Sequence, residues 1–181
     1  MYPSFFFSVF LTSQFILFIF YSLMAAPAQV IIVSYAESTA SGNLTSTGLC
    51  NGIERANYFP GYLLSNSTLN AFGPPVALYG ARQTATYPGL NVLQSLIPTS
   101  RYFQIPIHAG FSYQDSLKLA DEVLGNSLYD GKTVFIVWDF NEIPDLINAF
   151  GYSSPALPSP AAFNRTYVLK FPINNPFPLT L

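Results

Sequence analysis

Two short runs, Val30-Ile31-Ile32-Val33 and Thr133-Val134-Phe135-Ile136-Val137-Trp138, carry apolar side chains without alternation. A strand with one wet face alternates polar and apolar residues. A run that does not alternate must be covered on both faces, as in the centre of a mostly parallel sheet. The segments between the runs supply the covering layers. Leu49, Ile53, Ala56 and Phe59 approximate one helical face in a segment that opens at Thr45–Gly48, with Thr47 as a candidate N-cap, and reaches Leu64; Pro60 and Gly61 predict a bend there. Further helices are predicted from Val92 to Tyr102, from Tyr113 to Leu124 with Gly125-Asn126 as its stop, and from Glu142 to Phe150 ahead of Gly151. Further strands are predicted at Pro75–Tyr79, Ile105–Ile107 and Thr166–Phe171, and a loop at Ser153–Pro160. Strands alternating with helices imply right-handed crossovers and a three-layer α/β/α domain, its sheet mostly parallel with helices on both faces.

The length fits one such domain preceded by a leader. Residues Phe5 to Met24 form an uncharged apolar run, and Ala26-Pro27-Ala28 offers small residues where a signal peptidase reads. The expectation is a signal peptide over 1–28, a folded domain over 29–181 and a secreted product. The alternative is an uncleaved membrane anchor over 5–24, since about 20 apolar residues can span a bilayer. Asn43-Leu44-Thr45, Asn66-Ser67-Thr68 and Asn164-Arg165-Thr166 are N-glycosylation acceptors in such a product. Cys50 is the only cysteine, so no internal disulfide braces the fold, and it reads as a small buried hydrophobe. Charged residues make up 9% of the chain and the net charge is -2, which provides no basic field for nucleic acid. The single histidine, His108, is placed in a loop with no second histidine or cysteine to share a metal, so no metal and no cofactor are expected.

In sheets of this kind ligands bind beyond the carboxyl ends of the strands, which directs attention to the residues after Val33, Tyr79 and Trp138. Val30 to Glu37 resembles the opening strand of the histidine phosphatase superfamily, the phosphoglycerate-mutase-like fold, which runs into Arg-His-Ala-Glu or Arg-His-Gly. Leu44-Thr45 with Gly48 and then Glu54-Arg55-Ala56 is similar to the family's Leu-Thr-x-x-Gly helix opening and the Arg-Ala beyond it. Gln94–Pro98 followed by Ile105-Pro106-Ile107 resembles the helix after the second strand and the approach to the third. Gly131 to Asp139 resembles the strand leading to the second catalytic histidine, and Phe163 to Leu169 the closing strand of compact members. The resemblance spans nearly all of residues 30 to 170.

The resemblance implies a reaction in which a histidine attacks phosphorus. Two arginines and a second histidine hold the equatorial oxygens, and an acid protonates the leaving group. Carried over residue by residue, Ser34 stands at the first arginine, Tyr35 at the nucleophile, Asn91 at the second arginine and Phe140 at the second histidine. All four are uncharged. A phenol has an ordinary pKa near 10 and is a poor nucleophile without a cation beside it, and a phenylalanine offers no hydrogen bond. Glu37 is a candidate residual acid, while Glu142 suits a helix N-terminus. In an alternative register Gly80 takes the second-arginine position and Arg82 swings in to restore one charge. The resulting expectation is a catalytically inactive pseudophosphatase with a binding or structural role. Two alternatives stand beside it: a weak or altered phosphohydrolase of the same fold, and an extracellular ligand- or protein-binding module. A pocket of Ser34, Tyr35, Arg82, Asn91 and Phe140 would take a small neutral or aromatic ligand, and the partner itself is not identified by the sequence.

Overall fold

The computed structural model describes residues 26–36, 38, 43–44, 52–85, 90–153 and 165–172. Five strands form one sheet in the order β3-β2-β4-β1-β5: β1 is Gln29–Ser34, β2 Pro75–Gly80, β3 Ile107–His108, β4 Thr133–Trp138 and β5 Thr166–Lys170. Strands β1 to β4 are parallel and β5 runs antiparallel to β1. The two non-alternating runs are interior neighbours, paired from Gln29↔Thr133 to Ser34↔Trp138, and all six residues of each are buried. Burial of both faces is the physical reason those runs carry no polar alternation.

Four helices cover the sheet: α1 Gly52–Ser65, α2 Asn91–Phe103, α3 Ser116–Gly125 and α4 Ile143–Ala149. The strand order makes the β1-to-β2 and β2-to-β3 crossovers run one way across the sheet and the β3-to-β4 and β4-to-β5 connections the other. Right-handed connections then put α1 and α2 on one face and α3 and α4 on the opposite face. Ring contacts agree, because Phe59 of α1 meets Phe135 edge-on while Tyr113, just before α3, meets Trp138, and Phe135 and Trp138 face opposite sides of β4. The α/β class, the mostly parallel sheet and the helices on both faces are as the sequence predicts.

Several boundaries differ from expectation, each for a local reason. Helix α1 begins at Gly52 and runs through Pro60 and Gly61 to Ser65, one residue past the expected end at Leu64; Phe59, Pro60 and Leu63 are all buried, so packing holds the turn that loses one backbone hydrogen bond. The third strand begins at Ile107 rather than Ile105. The Ile105 amide and carbonyl are already engaged by Ser100, and Pro106 has no N–H to give a ladder. His108 therefore belongs to an edge strand, not a loop, and its ring stacks on Tyr79 with centroids 4.9 Å apart. The segment from Tyr113 divides into a short 3-10 turn and α3, with Ser112 and Asp115 forming a reciprocal capping box. The Lys118 ammonium and the Ser112 hydroxyl and amide hold the Asp115 carboxyl below the usual carboxylate range. The proposed N-cap Thr47, Cys50 and most of the Ser153–Pro160 loop lie outside the described residues.

Candidate functional site

The crossovers diverge to opposite faces at the carboxyl ends of β1 and β4, and such a divergence opens a crevice. The ladder runs one step past β1, with the Tyr35 amide donating to the Trp138 carbonyl at 3.2 Å. Continuing that register sets Tyr35 beside Asp139. Ser34, paired with Trp138, is buried between the layers.

Asp139 is only 7% exposed. Its Oδ1 accepts from the Asn141 amide at 2.9 Å, and its carbonyl accepts from the Glu142 and Ile143 amides at 3.1 Å each, so the carboxylate is built into the turn that starts α4. Burial pushes its pKa up, and the hydrogen bonds from Asn141 offset part of that rise. Burial likewise raises Tyr35, with a further rise from the Asp139 charge, and raises Glu142, with Asp139 and then Asp145 adding to it. Among the described residues the charges that act on Tyr35 and Glu142 are acidic, Asp139 on both and Asp145 on Glu142.

On the other side of the crevice, the first turn of α2 holds the loop that follows β1. Asn91 Nδ2 donates to Ser38 Oγ at 3.3 Å, and Ser95 Oγ accepts from the Ala36 amide at 2.9 Å while donating to the Asn91 carbonyl at 2.7 Å. Gln94 accepts from the Leu44 amide at 2.9 Å and donates to Asn43 Oδ1 at 3.2 Å. Asn91 thus stands against the loop that follows β1. In the alternative register, Gly80 packs closely on α2, where an added Cβ would lie 2.7 Å from Leu96 Cδ1 and 3.1 Å from Val92 Cγ1.

Ser34 and Tyr35 stand at the end of β1, Phe140 is buried two residues beyond the neighbouring β4, and Asn91 meets the β1 loop at Ser38. Arg82 is exposed, its amide donating to the Phe111 carbonyl at 2.7 Å at the end of β2. Arg101 lies ten residues into α2 from Asn91, about 15 Å along the helix axis, and lines a different groove. Glu37 and Asn164 lie outside the described residues. Asn43 is exposed, and Asn66 uses its Oδ1 to accept from the Thr68 and Leu69 amides, which leaves its nitrogen outside that turn.

Sequence reasoning passed over Asp139. The available signal was a carboxylate directly after six buried strand residues, in a chain with only nine acidic side chains. Tyr79 is core, its hydroxyl 2.9 Å from that of Tyr129; burial foremost, then this hydrogen bond, holds its pKa far above the ordinary phenol range.

No family model matches the chain, and no curated protein matches it in sequence. Among solved structures it is similar to one described as "Crystal structure of the putative phosphohistidine phosphatase SixA from Agrobacterium tumefaciens", at a TM-score of 0.43 and 13% identity, covering 68% of this chain and 77% of that one. A similarity of this size leaves the chemistry of the site to its own residues. Those residues are the Tyr35 phenol, the recessed Asp139 carboxylate, the ring of Phe140 and the Asn91 side-chain amide, which donates to Ser38 Oγ and accepts from the Val92 amide.

Proposed function

We propose that the chain is a secreted protein of the histidine phosphatase fold that has lost phosphoryl transfer and keeps its strand-end crevice for binding or structure. The observation that carries this reading is the Asp139 carboxylate buried beside Tyr35. Phosphoryl transfer needs fixed positive charge around the oxygens of the transferring group. Among the described residues the charge acting on Tyr35 is negative, and burial first, with that charge second, keeps the phenol in its protonated, non-nucleophilic form. Ser34, Asn91 and Phe140 add no compensating cation. A small neutral or aromatic ligand that both donates and accepts hydrogen bonds suits the crevice better than a phosphate.

The test is turnover of a generic aryl phosphate by the purified protein and by Tyr35→Phe. The expected result is no hydrolysis in either, with inorganic phosphate and vanadate leaving the melting temperature unchanged. Hydrolysis that disappears in Tyr35→Phe would overturn the proposal in favour of an altered phosphohydrolase.

A further inference from the structure

Helices α1 and α2 leave an open groove of about 290 Å³ between them, on the face away from the sheet. Its walls are two helical stripes. Ile53, Ala56 and Asn57 are spaced i, i+3, i+4 on α1, and Gln94, Ile97, Pro98 and Arg101 are spaced i, i+3, i+4, i+7 on α2. Leu44 joins Gln94 at one end, held there by the hydrogen bond its backbone amide donates to Gln94 Oε1. An outer helix face in a water-exposed position is ordinarily polar, yet Ile53 is 46% and Ile97 38% exposed here.

Two features distinguish the groove from a chance apolar patch. Its size approaches that of small-ligand pockets, which begin at roughly 300 Å³. Its far end carries Arg101, permanently charged, which makes no ion pair or hydrogen bond among the described residues. From Gln94 to Arg101 the helix rises about 10 Å, so the groove is a mostly apolar channel of that length ending in the Arg101 guanidinium. Asn57 on the facing helix supplies a neutral amide to the same wall.

We infer that the α1–α2 groove binds an apolar carboxylate of medium chain length, its anion on Arg101 and its hydrocarbon body against Ile53, Ala56, Ile97 and Leu44. A guanidinium pairs a carboxylate through two parallel hydrogen bonds, and the exposed isoleucines gain by covering their surface. The groove adjoins the strand-end crevice at Leu44 and Gln94, but its anion site at Arg101 lies about 15 Å along α2 from Asn91, so it stands or falls independently of the reading given to that crevice.

The experiment is calorimetric titration of the full chain with octanoate, with octanol (the same body without the charge) and with acetate (the charge without the body). Saturable octanoate binding is expected, at least tenfold tighter than that of octanol and with no binding of acetate. Arg101→Gln should weaken octanoate at least tenfold, and Ile97→Asn should do the same with the melting temperature recorded for both variants. These positions are exposed, so both proteins should fold. Absence of octanoate binding, equal binding of octanol, or undiminished binding by folded Arg101→Gln would overturn the inference. So would a dimer seen by sedimentation that Ile97→Asn dissociates and octanoate does not, since the groove would then be filled by a second copy.

Discussion

Asp139 determines the chemistry of the strand-end crevice, and its ionisation can be followed. Its pKa is raised in the folded protein by burial, so the folded state disfavours the charged form relative to the unfolded chain. For a raised pKa, no penalty applies below the unfolded value near 4; the penalty grows as pH rises through the folded pKa and is complete above it. Asp139→Asn keeps an Oδ1 acceptor for the Asn141 amide. It should therefore raise the melting temperature at pH 7 and leave it unchanged near pH 3, measured by thermal denaturation at both values. Spectrophotometric titration of the same variant should show a tyrosine moving to lower pH, because one of the two causes raising Tyr35 has gone. An unshifted phenol would detach Tyr35 from Asp139. That Tyr35 stands at the end of the first strand was legible in the sequence. Its partner was not, because residues 104 positions apart meet only through the parallel register of β1 and β4.

At the scale of elements, the close approach of β2 and α2 depends on Gly80. An added Cβ would enter the volume of Leu96 Cδ1, and Leu96 is fully buried and cannot swing away. Gly80→Ala should cost about 1–3 kcal/mol, the usual range for overpacking a core, read as a lower urea midpoint with an unchanged slope. A midpoint equal to that of the parent would mean α2 shifts freely over the sheet. The entry to β1 makes a second prediction. The Ala26 carbonyl accepts from Gly131, the Ala28 amide donates to Lys132 and the Ala28 carbonyl accepts from Phe171. Cleavage after Ala28 would remove these bonds, so secreted protein beginning at Gln29 should melt at a lower temperature than a form that keeps Ala26, and its mass should fall on treatment with an N-glycosidase; equal melting temperatures would show that the domain does without those three bonds. The apolar run before them, 5–24, lies outside the described residues, and among the described residues no helix is long and apolar enough to cross a membrane.

For the whole molecule, the sequence by itself determined that β1 and β4 are buried strands, that helices separate the strands, and that one α/β domain results. The reason is that hydrophobic periodicity is a local quantity, and uniform apolar runs admit few settings. It also determined that four positions of the resembled site are uncharged, since residue identity needs no structure. Tertiary structure decided what distance along the chain conceals. It reversed β5 against β1. It put His108 on an edge strand because Pro106 and Ser100 had already used the preceding backbone groups. It carried α1 through Pro60 because a buried face outweighed one missing bond. It brought Asp139 against Tyr35 and left Arg101 facing an apolar groove, because the pairing of strands and helices, not the order of residues, sets which charges share a crevice.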